Sequence, residues 1–171
     1  RLNLGVVRTE ENILWSFAPH DISIFQHIIN DFPVDIVSRG GAFLRSNIHD
    51  TTMTILRYHN NIVAHVFVSW LHPFKEHRLV IIGSDGMITF EDSSYEKSLY
   101  YYDKAVDFVD GQHIASDVER EKIDYPSNMP LTEELIYFTN HLDGKTLKIA
   151  TANHAIEVLR ILETASQSLQ L

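Results

Sequence analysis

Residues 13–29 read ILWSFAPHDISIFQHII, and the side chain in this run best suited to chemistry is His20, set between Pro19 and Asp21. Imidazole gives and takes a proton near neutral pH more readily than any other side chain. The spacing predicts a helix that begins near Ser16 or Phe17, with Ser16 as its N-cap and Pro19 in the first turn, where a missing N–H costs nothing. His20 then stands near the positive end of the helix dipole, which favours a neutral ring able to accept a proton. Asp21 falls inside the apolar arc of the same helix and needs partners there, either free backbone donors or an arginine from a neighbouring strand. A histidine at the edge of a helix face also serves as a hydrogen-bonded structural residue, and periodicity leaves both roles open.

Other chemistries lack their residues. The chain has ten histidines but no two-His-plus-Glu helical spacing, and His72 and His77 flank a turn that does not converge on one ion, so no metal site is expected. Zero cysteines exclude disulfides, thiolate zinc sites and cysteine nucleophiles. Gly40-Gly41 lies within a β pattern and suits a bulge or a close backbone approach, and Gly83 with Gly86 suits a hairpin turn; neither makes a phosphate loop. The Tyr100–Tyr102 run suits packing or an oligomer contact.

With 171 residues, 44% of them hydrophobic, the chain can bury one substantial core, and one domain over residues 1–171 is the expectation. The net charge of −9 and the lack of a basic block argue against nucleic acid or anionic membrane as a partner. No apolar run has the length of a membrane span, and the cytoplasm is the plain location. The chain opens without methionine on the strand-like RLNLGVVR, so further residues are expected upstream.

The elements that must position His20 read as follows. After a helix over residues 19–32, with apolar groups at Ile22, Phe25, Ile28, Ile29 and Phe32, comes a β-rich block: PVDIVSRGGAFLR, DTTMTILRYH, NIVAHVFVSWL, HRLVIIGSDG and GMITFED. Asn60-Asn61 and Asp85-Gly86 punctuate it as hairpin turns do. In the third run Ala64, Val66, Val68 and Trp70 alternate with Val63, His65, Phe67 and Leu71, so both sheet faces are mostly apolar and both need cover. Residues 92–109 read as a further strand or edge, and 110–129 as irregular. Two helices follow: one capped at Thr132, with Leu131, Leu135, Phe138 and Leu142 inward and Gly144 ending it, the other capped at Thr151, with Ile156, Leu159 and Leu162 inward. The expected fold is α+β: an open, meandering, mostly antiparallel sheet with helices on one face and the other face available for oligomer packing.

The stretches NLGVVRTEENILWSFAPHDIS, VSWLHPFKEHRLVIIGSDGMITFED and PLTEELIYFTNHLDGK, with the helical tail ANHAIEVLRILETASQSL, resemble the C-terminal domain of the glucose-fructose oxidoreductase and inositol dehydrogenase (Gfo/Idh/MocA) family. Within it the chain is most similar to NAD-dependent dehydrogenases that oxidise the sugar C3 hydroxyl of UDP-N-acetylglucosamine or its uronic acid, in pathways to surface polysaccharide. The resemblance implies a two-domain enzyme whose N-terminal Rossmann half, with the glycine-rich NAD-binding loop and a catalytic lysine, lies outside this chain. It maps the family's active-site histidine onto His20. The family usually carries an aspartate four residues earlier, where this chain has Ser16, leaving His20 and that lysine as the acid/base pair. Asn3, Arg8, Asn12 and Ser16 are the candidates for holding the sugar nucleotide, with Arg8 equally suited to pairing Asp21. Lys75 is read as a solvated turn residue and Trp70 as packed at a sheet interface. The resemblance also implies a homodimer or homotetramer formed through the sheet face. The isolated chain is expected to be inactive. The competing reading is a noncatalytic oligomerisation module in which His20 is structural.

Overall fold

The first helix starts at a cap that the spacing argument passed over. In the computed structural model, which describes residues 1–5, 7–103, 106–115 and 119–169, Asn12 is extended (φ −87°, ψ 168°) and its side chain accepts the Trp15 N–H, opening α1 (Ile13–Ile29). Starting this early lets Ile13 and Leu14 join Ala18 and Ile22 in the core. Asn30 closes the helix in the left-handed region, which asparagine tolerates better than most residues.

The chain forms two compact units, one of residues 1–75 with the stretch from Glu134 onward, the other of residues 76–133. In the first unit β1 (Asp35–Gly41), β2 (Thr51–Arg57) and β3 (Val63–Ser69) form an antiparallel sheet in that order. The expected Asn60-Asn61 turn joins β2 to β3, both asparagines taking positive φ (57° and 61°). Register aligns Ser38 with Thr54 and Thr54 with Val66, so Leu56, Ala64, Val66 and Val68 share one face with those hydroxyls. That face lies under α1 and α3 (Ala152–Ser168), the latter capped by Thr151 as expected. Trp70, just past β3, is buried in the same core. Full burial of each such side chain is worth about 1.5–3 kcal/mol. The helix-free face leaves Met53, Ile55, Val63 and Phe67 between 39% and 60% exposed.

The edge strand β1 is tied to α3, where the Ser38 N–H donates to Ser168 Oγ at 2.7 Å and Arg39 reaches the Ser168 carbonyl at 2.8 Å. On α3 the buried stripe is Val158, Ile161, Leu162 and Ala165, while Ile156 and Leu159, expected inward, are exposed. The helix carries two adjacent apolar stripes, and the one containing the small Ala165 faces the core. The opening residues add only a parallel bridge, Leu2 to Ser69, extended by the Asn3 N–H to the Ser69 carbonyl at 3.0 Å, in place of a full strand; Val6 lies outside the described residues.

In the second unit β4 (Arg78–Ile82), β5 (Gly86–Glu91), β6 (Leu99–Asp103) and β9 (Arg120–Ile123) form an antiparallel sheet in that order. β7 (Val106–Val109) and β8 (Gln112–Ala115) form a separate hairpin turning at Asp110-Gly111. The single meander expected from the sequence is thus three sheets among the described residues. β8 and β9 lie in the stretch read as irregular, because four-residue polar strands show too little alternation to register. The Arg120 guanidinium lies over the Tyr100 ring at 4.3 Å, and Arg78 pairs with Glu91 at 2.7 Å.

The last correction concerns α2 (Pro130–Asn140), which begins two residues before Thr132. Its Leu131, Leu135 and Phe138, and Leu142 beyond it, are exposed rather than buried, since periodicity detects an apolar stripe but not the surface that covers it. No helix among the described residues is long and apolar enough to cross a membrane.

Candidate functional site

Asn12, Ser16 and His20 follow one another at four-residue intervals along α1, each step about 6 Å, so they line one side of the helix. Pro19 is the seventh residue of α1, not a first-turn residue, and it cannot donate to the Trp15 carbonyl. His20 is exposed in the second turn, one turn beyond the reach of the helix-end dipole, so the expected dipole effect does not act there. Among the described residues no hydrogen-bond partner holds its ring. Ser16, expected as the cap, is inside the helix; its hydroxyl is shielded from solvent and has no partner among the described residues.

Asp21 finds an arginine, one of the two kinds of partner expected for it. Arg1 Nε lies 2.9 Å from Asp21 Oδ1, with both side chains largely shielded from solvent. Arg8 pairs instead with Glu11, at 2.7 Å. Asn3 joins the end of β3 through its backbone, and Lys75 is exposed. The predicted residues therefore separate into Asn12, Ser16 and His20 on one helix face, with Asn3 and Arg8 on the strand-like approach to it.

A cleft of about 430 Å³ opens beside the start of α1, lined by Glu10, Glu11, Asn12, Trp15, Asn47 and Ile48. Only Asn12 among these was singled out from the sequence. Trp15 is fixed by its indole N–H, which donates to Ser166 Oγ on α3 at 2.7 Å. The hydroxyl of Thr9, with backbone N–H groups, holds the Glu10 carboxyl below the usual carboxylate range, so it is ionised at neutral pH. Asn47 takes positive φ (75°), a conformation asparagine accepts more easily than most residues.

The far wall of the cleft is the loop of residues 42–50, and a buried carboxylate holds it. Asp50 Oδ2 accepts the backbone N–H groups of Phe43 and Leu44, the latter at 2.9 Å. The Asp50 N–H donates to the Gly41 carbonyl (2.8 Å), and its carbonyl accepts from Trp70 (3.0 Å). The His49 carbonyl accepts the first N–H of α1, from Ile13, at 3.0 Å, joining loop and helix. A Cβ at Gly40 would lie 2.4 Å from the Thr51 carbonyl oxygen and 2.9 Å from His49 Cδ2, which is the close backbone approach expected there. His49 Nε2, Asp50 Oδ1, Thr52 Oγ1 and Trp70 Nε1 are buried without hydrogen-bond partners among the described residues.

The helices above are joined by polar contacts as well as by the core. Ser23 Oγ lies 2.9 Å from His154 Nε2, and Gln26 donates to Glu157 at 3.2 Å, linking α1 to α3. Among the described residues no group of three or more acidic, histidine or cysteine side chains is placed to hold a metal.

Residues 7–89 match the family model described as the GFO/IDH/MocA C-terminal domain. No curated protein sequence matches the chain. Among solved structures, UDP-N-acetylglucosamine 3-dehydrogenase GnnA from Acidithiobacillus ferrooxidans is similar in fold, with a TM-score of 0.81 at 16% identity over 99% of this chain and 51% of that one. A second crystal form of GnnA gives 0.78 at 20% identity over 98% and 51%. An NAD-binding protein from Listeria innocua gives 0.71 at 11% identity over 98% and 54%. The chain thus spans about half the length of these structures. Residues 7–89, the stretch that carries α1 and His20, are thus similar to the GFO/IDH/MocA C-terminal domain family.

Proposed function

We propose that this chain is the substrate-facing half of an NAD-dependent oxidoreductase that oxidises the C3 hydroxyl of a UDP-N-acetylhexosamine or its uronic acid in the cytoplasm. The observation that carries the reading is the exposed His20 ring, without a hydrogen-bond partner among the described residues, on a helix within the family-matched segment. His20 takes up or relays the proton of the sugar hydroxyl, and Ser16 stands one turn earlier on the same helix. Asn12 and Arg8 orient the sugar nucleotide from the approach to the helix.

This chain's glycines do not form a dinucleotide cradle: Gly40-Gly41 lies within β1, and Gly83 and Gly86 bracket the β4–β5 turn. NAD, the hydride acceptor when bound, is therefore assigned to an N-terminal Rossmann domain outside this chain. The exposed Met53, Ile55, Val63 and Phe67 face supports a homodimer or homotetramer. The same face supports the second reading, a noncatalytic assembly module in which His20 has no chemical role.

The full-length protein, mixed with NAD and UDP-N-acetylglucosamine or its uronic acid, is expected to produce NADH together with a 3-keto sugar nucleotide. NAD binding without turnover of either sugar nucleotide would favour the assembly module.

A further inference from the structure

We infer that the cleft at the start of α1 receives the nucleoside end of the substrate, its base against Trp15 and its ribose hydroxyls on Glu10. The inference rests on the sugar-nucleotide reading above. The cleft, about 430 Å³, falls within the about 300–1,000 Å³ of small-molecule sites. Its lining of an indole, two carboxamides and an ionised carboxylate suits a nucleoside better than a phosphate.

Trp15 lines the cleft with its indole held at Ser166 before any ligand arrives, a group suited to base stacking. Asn12 spends its carbonyl oxygen on the helix cap and keeps its amide N–H groups, while Asn47 offers both a donor and an acceptor. Carboxamides of this kind match the alternating donors and acceptors of a base edge. Glu11 is committed to Arg8, so Glu10 is the carboxylate left for hydroxyl donors, the role an acidic residue takes on a ribose diol. An ionised Glu10 also repels phosphate, which places the diphosphate outside the cleft.

The direction of the ligand follows. Asn12 and His20 are eight residues apart on α1, a span of about 12 Å. A nucleoside at Asn12 and Trp15 leaves the diphosphate to run along α1 and brings the sugar to His20. Asp50 is a positioning residue in this arrangement, since it fixes the loop that presents Asn47 and Ile48.

Saturation-transfer NMR on the full-length protein tests this, with uridine as probe and NAD present in excess to fill the dinucleotide pocket. Asn47→Gly keeps the positive-φ backbone and removes only the carboxamide, and Glu10→Gln removes only the charge. Each is expected to weaken uridine binding about tenfold, with an unchanged melting temperature. Asn12→Ser keeps a capping oxygen and is expected to do the same. N-acetylglucosamine is expected not to displace uridine. Uridine signals unchanged in all three variants, no uridine binding, or displacement of uridine by N-acetylglucosamine would overturn the site. Loss of uridine binding in the variants of a protein that oxidises no sugar nucleotide would keep the site and reject the oxidoreductase reading. Turnover in a protein whose cleft variants bind normally would do the reverse.

Discussion

Tyr58 donates its hydroxyl to Gln26 Oε1 at 3.1 Å, joining the end of β2 to the buried face of α1. Burial, with the nearby Asp31 carboxylate, pushes the Tyr58 phenol up to about 12 from an ordinary 10.0. The raised value means that folding favours the protonated phenol. Its contribution is fully present below pH 10.0 and is lost as pH rises through about 12. Tyr58→Phe should cost about 1 kcal/mol at neutral pH, because Gln26 loses a donor, and should flatten the alkaline loss of stability. Urea unfolding across that pH range measures both.

Removing the Asp50 carboxylate should free the loop that walls the cleft. Asp50→Ala leaves the Phe43 and Leu44 N–H groups without their acceptor and is expected to lower stability by about 2–4 kcal/mol. Amide exchange should accelerate at Phe43 and Leu44 before it does in β2. Thr52→Val, which deletes a buried hydroxyl without a partner among the described residues, should be neutral or stabilising. A Thr52→Val loss as large as that of Asp50→Ala would show that the hydroxyl is satisfied in solution.

The sequence made the hairpin turns, the Thr151 cap and the apolar character of both faces of β3 legible, because each follows from local chemistry or a period of two; it showed that Asp21 needs a partner but named Arg8, whereas Arg1 supplies it. It placed His20 on α1 but in the wrong turn. Ser16 before Pro19 imitates a cap, whereas the start is set by the need to bury Ile13 and Leu14, which only the folded sheet reveals. The cleft was largely illegible for a similar reason. Trp15 and Asn47 are 32 positions apart and meet only because Asp50 folds the intervening loop back onto α1. The stripes of α2 and α3 show the same limit, since periodicity offers candidate faces and tertiary contacts choose among them.

The exposed face of β2 and β3 should hold copies of the protein together. Phe67 and Met53 are cross-strand partners on that face, beside Ile55 and Val63. Phe67→Glu should convert the dimer or tetramer expected in light scattering to monomers while leaving the helix-covered core folded, since the side chain points away from it. A monomeric wild type at micromolar concentration would remove this part of the account.

The most direct test of the account is the steady-state kinetics of His20→Asn in the full-length protein, with NAD binding and melting temperature measured alongside. A proton-handling His20 predicts a fall in kcat of about 10²–10⁴, with cofactor affinity and stability unchanged. Wild-type turnover in the variant, or a loss of stability in place of a loss of rate, would contradict it.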